Sequence, residues 1–172
     1  MSVRTMCHEV FENTLLVVHG PRPASADEWA AYLADGLVLQ YRGILVVTDL
    51  AYPGPDAKQR VQGSAAVRKR GVYPHIAVVT ASAVHRCIVT AFSWMQRGNV
   101  AAYHPSRLRE AMDYAGVSPA RRTKVLLRVH DLARELGSTW IPRSVRWSAS
   151  MRADDLIRSE ARAADEATRI SR

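Results

Sequence analysis

Polar side chains stand at the carboxyl ends of three hydrophobic segments. The segments, Thr14–His19, Gly43–Asp49 and His75–Thr80, are rich in β-branched and aliphatic residues and are typical of buried strands. The polar residues at or just after their ends are His19, Thr48, Asp49, Thr80 and Ser82. Open α/β sheets bind ligands at the carboxyl ends of their strands. These five residues therefore form a candidate pocket for a small ligand or a substrate.

None of the motifs that define common α/β catalytic or nucleotide sites accompanies these residues. His19 is followed by Gly-Pro-Arg-Pro, which lacks the spaced glycines of a dinucleotide site, and proline has no N–H to offer a phosphate. Phosphorylation of Asp49 as in a receiver domain would require an acidic pair after the first parallel strand, where His19 and Gly20 stand. The histidines show no metal-ligand spacing, and no Gly-x-Ser-x-Gly elbow occurs. We therefore expect no cofactor, no metal and no enzymatic activity.

The hydrophobic segments alternate with helical segments, and this alternation predicts an α/β fold. No charge interrupts Ile44–Val47, which is typical of a strand buried on both faces. Cys7–Phe11 and Val100–Tyr103 add two shorter strands. The predicted order β-β-α-β-α-β-α-β-α-α implies a small, mostly parallel sheet of about five strands with helices packed on it.

Capping residues and apolar spacing predict the helices. Ser25 and Glu28 have the spacing of a capping box, and Pro55 or Asp56 is expected to begin the second helix, which ends at Gly71. A third helix is expected to bury an apolar face made of Val84, Ile88, Ala91, Phe92 and Met95. The last two helices of the domain are predicted over Arg107–Ala115, capped by Ser106, and over Ala120–Leu136.

Charge and cysteine content limit the classes of partner and location. The net charge of +8 permits contact with nucleic acid, acidic lipid or an acidic protein, but no aromatic residues alternate with the basic ones as a base-stacking platform requires. We expect Cys87 to be buried, Cys7 to be exposed and neither to be bridged. No apolar run reaches the ~20 residues of a membrane span, and Met1–Glu12 lacks a signal-peptide segment, so we expect a cytoplasmic location.

The composition changes after Gly137, and we predict an α/β domain over residues 7–137 and a tail over residues 138–172. Trp140 and Trp147 stand among serines and arginines, and a polar segment that is either helical or disordered follows. The two tryptophans either dock a partner or fold back onto the domain. Association with a protein assembly or with nucleic acid through this tail is one further possible function. The sequence does not indicate an oligomeric state.

The order of elements resembles the STAS domain of bacterial anti-sigma factor antagonists, and in particular the divergent SpoIIAA-like proteins. The segments that carry the resemblance are Leu15–His19, Ile44–Asp49, Ile76–Ser82 and Val100–Ala102 before Leu108–Tyr114. The resemblance implies a non-catalytic regulatory module that binds another protein in bacterial signalling. In that family an Asp-Ser-Ser/Thr-Gly motif carries a phosphorylated hydroxyl. Here Asp49 matches the aspartate, but Leu50, Ala51 and Tyr52 follow it, and Ser64 lies inside a predicted helix.

A docking face for that partner is expected on the loop after Asp49 and on the helix that follows. Tyr52 is the expected hydrophobic anchor. The expected basic rim consists of Lys58, Arg60, Arg68, Lys69 and Arg70. Such a rim would steer an acidic partner to the face, although the same residues also fit an ordinary solvated helix. A protein-binding module is thus the first hypothesis, and a small-ligand-binding protein or enzyme is the alternative.

Overall fold

Five strands form one sheet in the order in which they occur along the chain. The computed structural model describes residues 4–71, 73–95 and 99–138. Its strands are β1 (Met6–Phe11), β2 (Thr14–His19), β3 (Gly43–Thr48), β4 (His75–Val79) and β5 (Val100–Tyr103). β1 pairs antiparallel with β2, and the other neighbours are parallel. The predicted α/β class, with a mostly parallel sheet, is confirmed.

The helices form two layers on opposite faces of the sheet. They are α1 (Ala26–Val38), α2 (Ala57–Arg70), α3 (Ala83–Met95), α4 (Leu108–Tyr114) and α5 (Arg122–Glu135). Since β2 to β5 follow one another in space and crossovers share one hand, the connecting helices α1, α2 and α3 lie on the same face. α4 contacts β4 and β5 on the other face, and α5 contacts β2 there.

Local sequence signals fix most of the element boundaries. Glu12 and Asn13 both have positive φ, which is the geometry of a two-residue hairpin turn. The capping box of Ser25 with Glu28 is present, and Asp56 forms a second one at the start of α2. Ser106 is not the cap that was expected, because the His104 side chain accepts the Ser106 N–H and begins a 3-10 turn.

Two 3-10 turns shift the starts of the last helices. The turn Pro105–Arg107 precedes α4, and the turn Pro119–Arg121 precedes α5. Both predicted starts were therefore slightly early. Proline suits the first position of such a turn because its fixed φ is close to helical and its missing N–H would be unpaired there in any case.

The layer of α4 and α5 is closely packed. Every second residue of the central strands points toward it, and Val125, Val129 and Leu132 of α5 are almost fully buried against them. A Cβ on Gly43 would lie 2.1 Å from the carbonyl oxygen of Ala115, so β3 and the end of α4 approach at a distance that only glycine permits. This layer supplies most of the hydrophobic core.

The layer of α1, α2 and α3 is only partly filled. Among the described side chains, its buried cluster consists of Met6, Leu15, Val17, Ala24, Trp29 and Ile44. The predicted burial of the apolar face of α3 is wrong for the three residues whose side chains are described: Val84 is 67% exposed, Ile88 is 53% exposed, and Ala91 is also exposed. α3 packs mainly along the edge strand β5, so less of its surface is covered. The side chains of Phe92 and Met95 lie outside what the structure describes.

The two cysteines exchange their expected environments. Cys7 is fully buried in the core on the α5 side, and this burial raises the pKa of its thiol. Cys87 lies on α3 and is exposed. The reason is again the position of α3, which turns its 87–88 edge to solvent. Both thiols are free, as predicted.

Candidate functional site

An apolar cavity of about 270 Å³ lies between the sheet and the layer of α1, α2 and α3. Its floor is formed by alternate residues of the strands, Val17, Ile44, Val46, Ile76, Val78 and Val100. Its walls are formed by residues of the three helices, Trp29, Tyr32, Gln59, Gly63, Val67, His85, Ile88 and Val89. Ligand sites in proteins are typically concave, apolar and supplied with a few polar groups.

The cavity exists because α2 offers the sheet no large apolar side chain. Gln59 is the buried residue of this helix, and the positions that face the cavity at the following turns are Gly63 and Val67. The larger contacts of α2 are with α1 rather than with the sheet. Small side chains over a strongly hydrophobic sheet thus leave space that a typical core would fill.

Polar residues at the strand ends line one end of this cavity. His19 pairs in register with Thr48 on the neighbouring strand, and both line the cavity together with Thr80. These three belong to the predicted ligand pocket, and the structure brings them together. Ser82, the fourth, does not line the cavity. Its hydroxyl accepts the backbone N–H of His85 at 3.3 Å and caps the start of α3.

Asp49, the fifth predicted pocket residue, also lies outside the cavity lining. One carboxylate oxygen accepts the Ala51 N–H at 2.9 Å, and the other accepts the Ser138 hydroxyl at 2.5 Å. Asp49 is almost fully buried. Its carboxylate therefore shapes the loop after β3 and joins it to the residues that follow α5, and it does not face a ligand.

Three aromatic rings stand side by side at the carboxyl ends of the strands. The ring of Tyr52 stacks on His19 with centroids 4.2 Å apart, and it meets His85 edge-on with centroids 6.5 Å apart. Gly54, with φ +90°, lets the loop turn closely beside the His85 ring. Tyr52, His85 and this loop thus form the polar end of the cavity.

Four residues that line the cavity each carry a buried polar atom with no hydrogen-bond partner within the described part of the chain. These atoms are His19 Nδ1, Trp29 Nε1, Thr48 Oγ1 and Tyr52 Oη. The side chains that carry them are at least nine-tenths buried, with exposures of 4%, 8%, 4% and 3%. An unpaired buried polar group costs about 1–3 kcal/mol, so four around one cavity require an explanation.

The electrostatics of this end favour neutral groups. Burial lowers the pKa of His19 to about 4, although the carboxylate of Glu28 acts in the opposite direction. Glu28 itself is partly buried, which raises its pKa, but hydrogen bonds from Thr5 and Ser25 outweigh this and hold it at about 2. Burial raises the pKa of Tyr52. At neutral pH the imidazole and the phenol are therefore both uncharged.

The predicted docking residues differ in their exposure and in their contacts. Tyr52 is 3% exposed and cannot serve as a protruding anchor, because its ring packs between two histidines. Arg70 lies 3.7 Å above the Tyr41 ring and donates to the carbonyl of Gly36, so it ties α2 to α1. The remaining basic rim residues, Lys58, Arg60, Arg68 and Lys69, are exposed. Trp140 and Trp147 lie outside the described residues.

Sequence reasoning missed the helix residues of the cavity, above all Trp29 and His85. In the sequence, Trp29 stands at four-residue spacing from Leu33 and Leu37, a pattern that is typical of an ordinary core-facing helix, and His85 is isolated from other chemically active residues. One signal was present: α2 follows a strand buried on both faces yet carries no large aliphatic residue toward it. A helix of that composition cannot fill a parallel sheet's face.

The fold and the cavity define an α/β protein with one closed and one partly open helical layer. Within the described ranges, no group of three or more metal-ligating side chains comes together, and no helix is long and apolar enough to cross a membrane. No protein-family model, curated protein or solved structure matches the chain.

Proposed function

We propose that this protein binds a small, mainly apolar molecule in the cavity between its sheet and α1, α2 and α3. The observation that carries the proposal is the coincidence of an apolar space of about 270 Å³ with four unpartnered buried polar atoms among its described lining residues. The position at the carboxyl ends of parallel strands supports it further. The neutral ring of His19 and the hydroxyls beside it orient the ligand.

Filling the cavity from its floor tests this proposal. Val78 lines the cavity on β4, and Val78→Phe adds a ring where the ligand would lie. Val61→Phe is the matched control, because Val61 is exposed on α2 and does not line the cavity. Binding of naphthalene to the full chain is followed by calorimetry and by the thermal unfolding midpoint, which a ligand of the folded state raises.

The two variants separate binding in the cavity from binding elsewhere. We expect the wild type and Val61→Phe to bind naphthalene equally and Val78→Phe not to bind it, while all three show the same circular dichroism. Equal binding by Val78→Phe would place the probe elsewhere and remove the proposal. A folded wild type that binds no naphthalene would also remove it.

A second candidate function is docking of another protein at the same edge, which is the regulatory role that the STAS-like resemblance implies. Leu50, in the loop after β3, is exposed, as are Val84 and Ile88 on α3. Lys58 and Arg60 add exposed positive charge on α2. Exposed aliphatic groups together with basic residues suit an acidic protein surface.

Substitutions on opposite layers test this second candidate. Capture of a partner from native cell extract is compared for the wild type, for Leu50→Asp and for Leu127→Asp. Leu127 is a partly exposed leucine on α5 in the other layer. A partner that Leu50→Asp loses and Leu127→Asp retains supports docking at the carboxyl edge. Retention by both variants contradicts it.

A further inference from the structure

The cavity lining is almost free of charge, and this limits the chemistry of its ligand. Among the described lining residues Arg60 carries the one permanent charge. Arg60 is exposed, and its Nη1 already donates to the carbonyl oxygen of Pro55 at 2.6 Å. An ion pair at such an exposed rim contributes little, and a charge placed deeper would be desolvated without a partner.

The neighbouring carboxylates are not available to a cationic ligand. Asp49 is occupied by Ala51 and Ser138, and it does not line the cavity. Glu28 accepts hydrogen bonds from Thr5 and Ser25 and also lies outside the lining. A buried ammonium group would therefore meet no anion in this space.

The unpartnered polar atoms favour an oxygen that accepts hydrogen bonds. The indole Nε1 of Trp29 can only donate, so it requires an acceptor. The hydroxyls of Thr48 and Tyr52 can donate to the same type of atom, and neutral His19 can donate or accept at Nδ1. A carbonyl or hydroxyl oxygen on the ligand can accept a hydrogen bond from an indole N–H, from a hydroxyl or from an imidazole N–H.

The volume of the cavity indicates the size of the ligand. An apolar cavity of about 150 Å³ is large enough for benzene. The cavity here, at about 270 Å³, is nearly twice that size. Two fused six-membered rings, or an aliphatic molecule of similar bulk, would fill it.

We propose that the ligand is an uncharged, apolar molecule about the size of two fused rings that carries an oxygen able to accept hydrogen bonds. This inference rests on the proposed ligand-binding function and gives its ligand a chemical class. The oxygen lies among Thr48, Tyr52 and His19, and the apolar body lies on the valines of the sheet.

Four naphthalene derivatives of matched shape test the class of ligand. Calorimetry on the full chain at neutral pH compares naphthalene, naphthol, naphthoate and naphthylmethylammonium, the last three substituted at the same ring position. We expect naphthol to bind about 10-fold more tightly than naphthalene, since it gains one or two net hydrogen bonds. The two ions should bind at least about 100-fold more weakly than naphthol, because each buries an unpaired charge.

Removal of single hydroxyls assigns the preference to the strand ends. Thr48→Val and Tyr52→Phe keep the shape of the lining and delete one hydroxyl each, so each should reduce the ratio of the naphthol affinity to the naphthalene affinity. Tyr103→Phe is the control, because Tyr103 does not line the cavity. Naphthol preference that persists in the Thr48→Val/Tyr52→Phe double variant would overturn the assignment of the oxygen to these residues.

The outcomes separate this inference from the proposed function. Equal affinity for naphthol and naphthalene would mean that water satisfies the polar atoms, which overturns the inference and leaves ligand binding intact. Naphthoate as the tightest ligand would overturn the requirement for an uncharged molecule. Binding of neither naphthalene nor naphthol by the folded wild type would overturn both proposals.

Discussion

Protonation of His19 should destabilise the fold in a defined range of pH. In the unfolded chain this histidine binds a proton below about pH 6.5, whereas in the folded protein burial delays protonation until about pH 4. The unfolded state therefore binds more protons between these values, and the free energy of unfolding falls as the pH is lowered through them. Above about pH 6.5 the contribution of the neutral ring is fully present.

The size of this effect follows from the two pKa values. At ~1.4 kcal/mol for each pH unit, the difference between 6.5 and about 4 corresponds to about 3 kcal/mol in full. Between pH 7.5 and pH 4.5 about 2.5 kcal/mol of it should be lost. Glu28 also destabilises the fold on acidification, but its pKa falls from 4.5 to about 2, so its loss occurs at lower pH.

Urea unfolding followed by circular dichroism at pH 4.5, 5.5, 6.5 and 7.5 measures the effect. His19→Phe keeps an aromatic ring against Tyr52 and removes the titrating group. The loss in the free energy of unfolding between pH 7.5 and pH 4.5 should therefore be smaller in this variant than in the wild type by about 2.5 kcal/mol. His130→Gln, at a half-exposed position on α5, is the control for removal of a histidine elsewhere in the chain. The same pH dependence in His19→Phe and wild type would refute the argument, since it would mean that His19 accepts its proton in the folded protein as easily as in water.

Three further predictions concern packing, thiol exposure and helix capping. Gly43→Ala should lower the free energy of unfolding by about 3 kcal/mol or more, because its Cβ overlaps the Ala115 carbonyl; an unchanged urea midpoint would contradict this. In the native protein a thiol reagent should modify Cys87 rapidly and Cys7 only after unfolding; mass spectrometry identifies the site, and early labelling of Cys7 would contradict its burial. Ser25→Ala should cost about 1 kcal/mol in urea unfolding through loss of the α1 capping box, whereas no loss would mean that the cap is dispensable.

The sequence was sufficient to predict the elements because their signals are local. Alternating or continuous apolar runs define the strands, and the residues Ser25, Gly71 and Gly116 mark helix ends through side-chain capping or positive φ. The order of the strands within the sheet was not predicted, because crossovers of one hand are compatible with several strand orders. The starts of α4 and α5 differed by short 3-10 turns, and the start of β1 and the ends of α4 and α5 differed by one residue each.

The cavity was not predictable in the same way, because it depends on how far each helix lies from the sheet. The apolar stripe of α3 indicated burial, yet burial also requires a covering surface, and α3 meets mainly the edge strand. The position of α3 along the edge strand also leaves Cys87 exposed. Of the five predicted pocket residues, His19, Thr48 and Thr80 line the cavity, because they continue the alternation of the strand residues that form its floor, whereas Asp49 is one residue out of phase.

The contrast between the two helical layers is itself an argument that the open layer was selected for something other than stability. Four unpartnered buried polar atoms at about 1–3 kcal/mol each, beside a space that aliphatic side chains could fill, make the α1–α3 layer costly. The close packing of α4 and α5 on the other face offsets that cost. Natural proteins retain such local losses mainly where function requires them. Val78→Phe should therefore raise the thermal unfolding midpoint while it abolishes binding, and a variant that loses both stability and binding would indicate a rigid core position and not a ligand site.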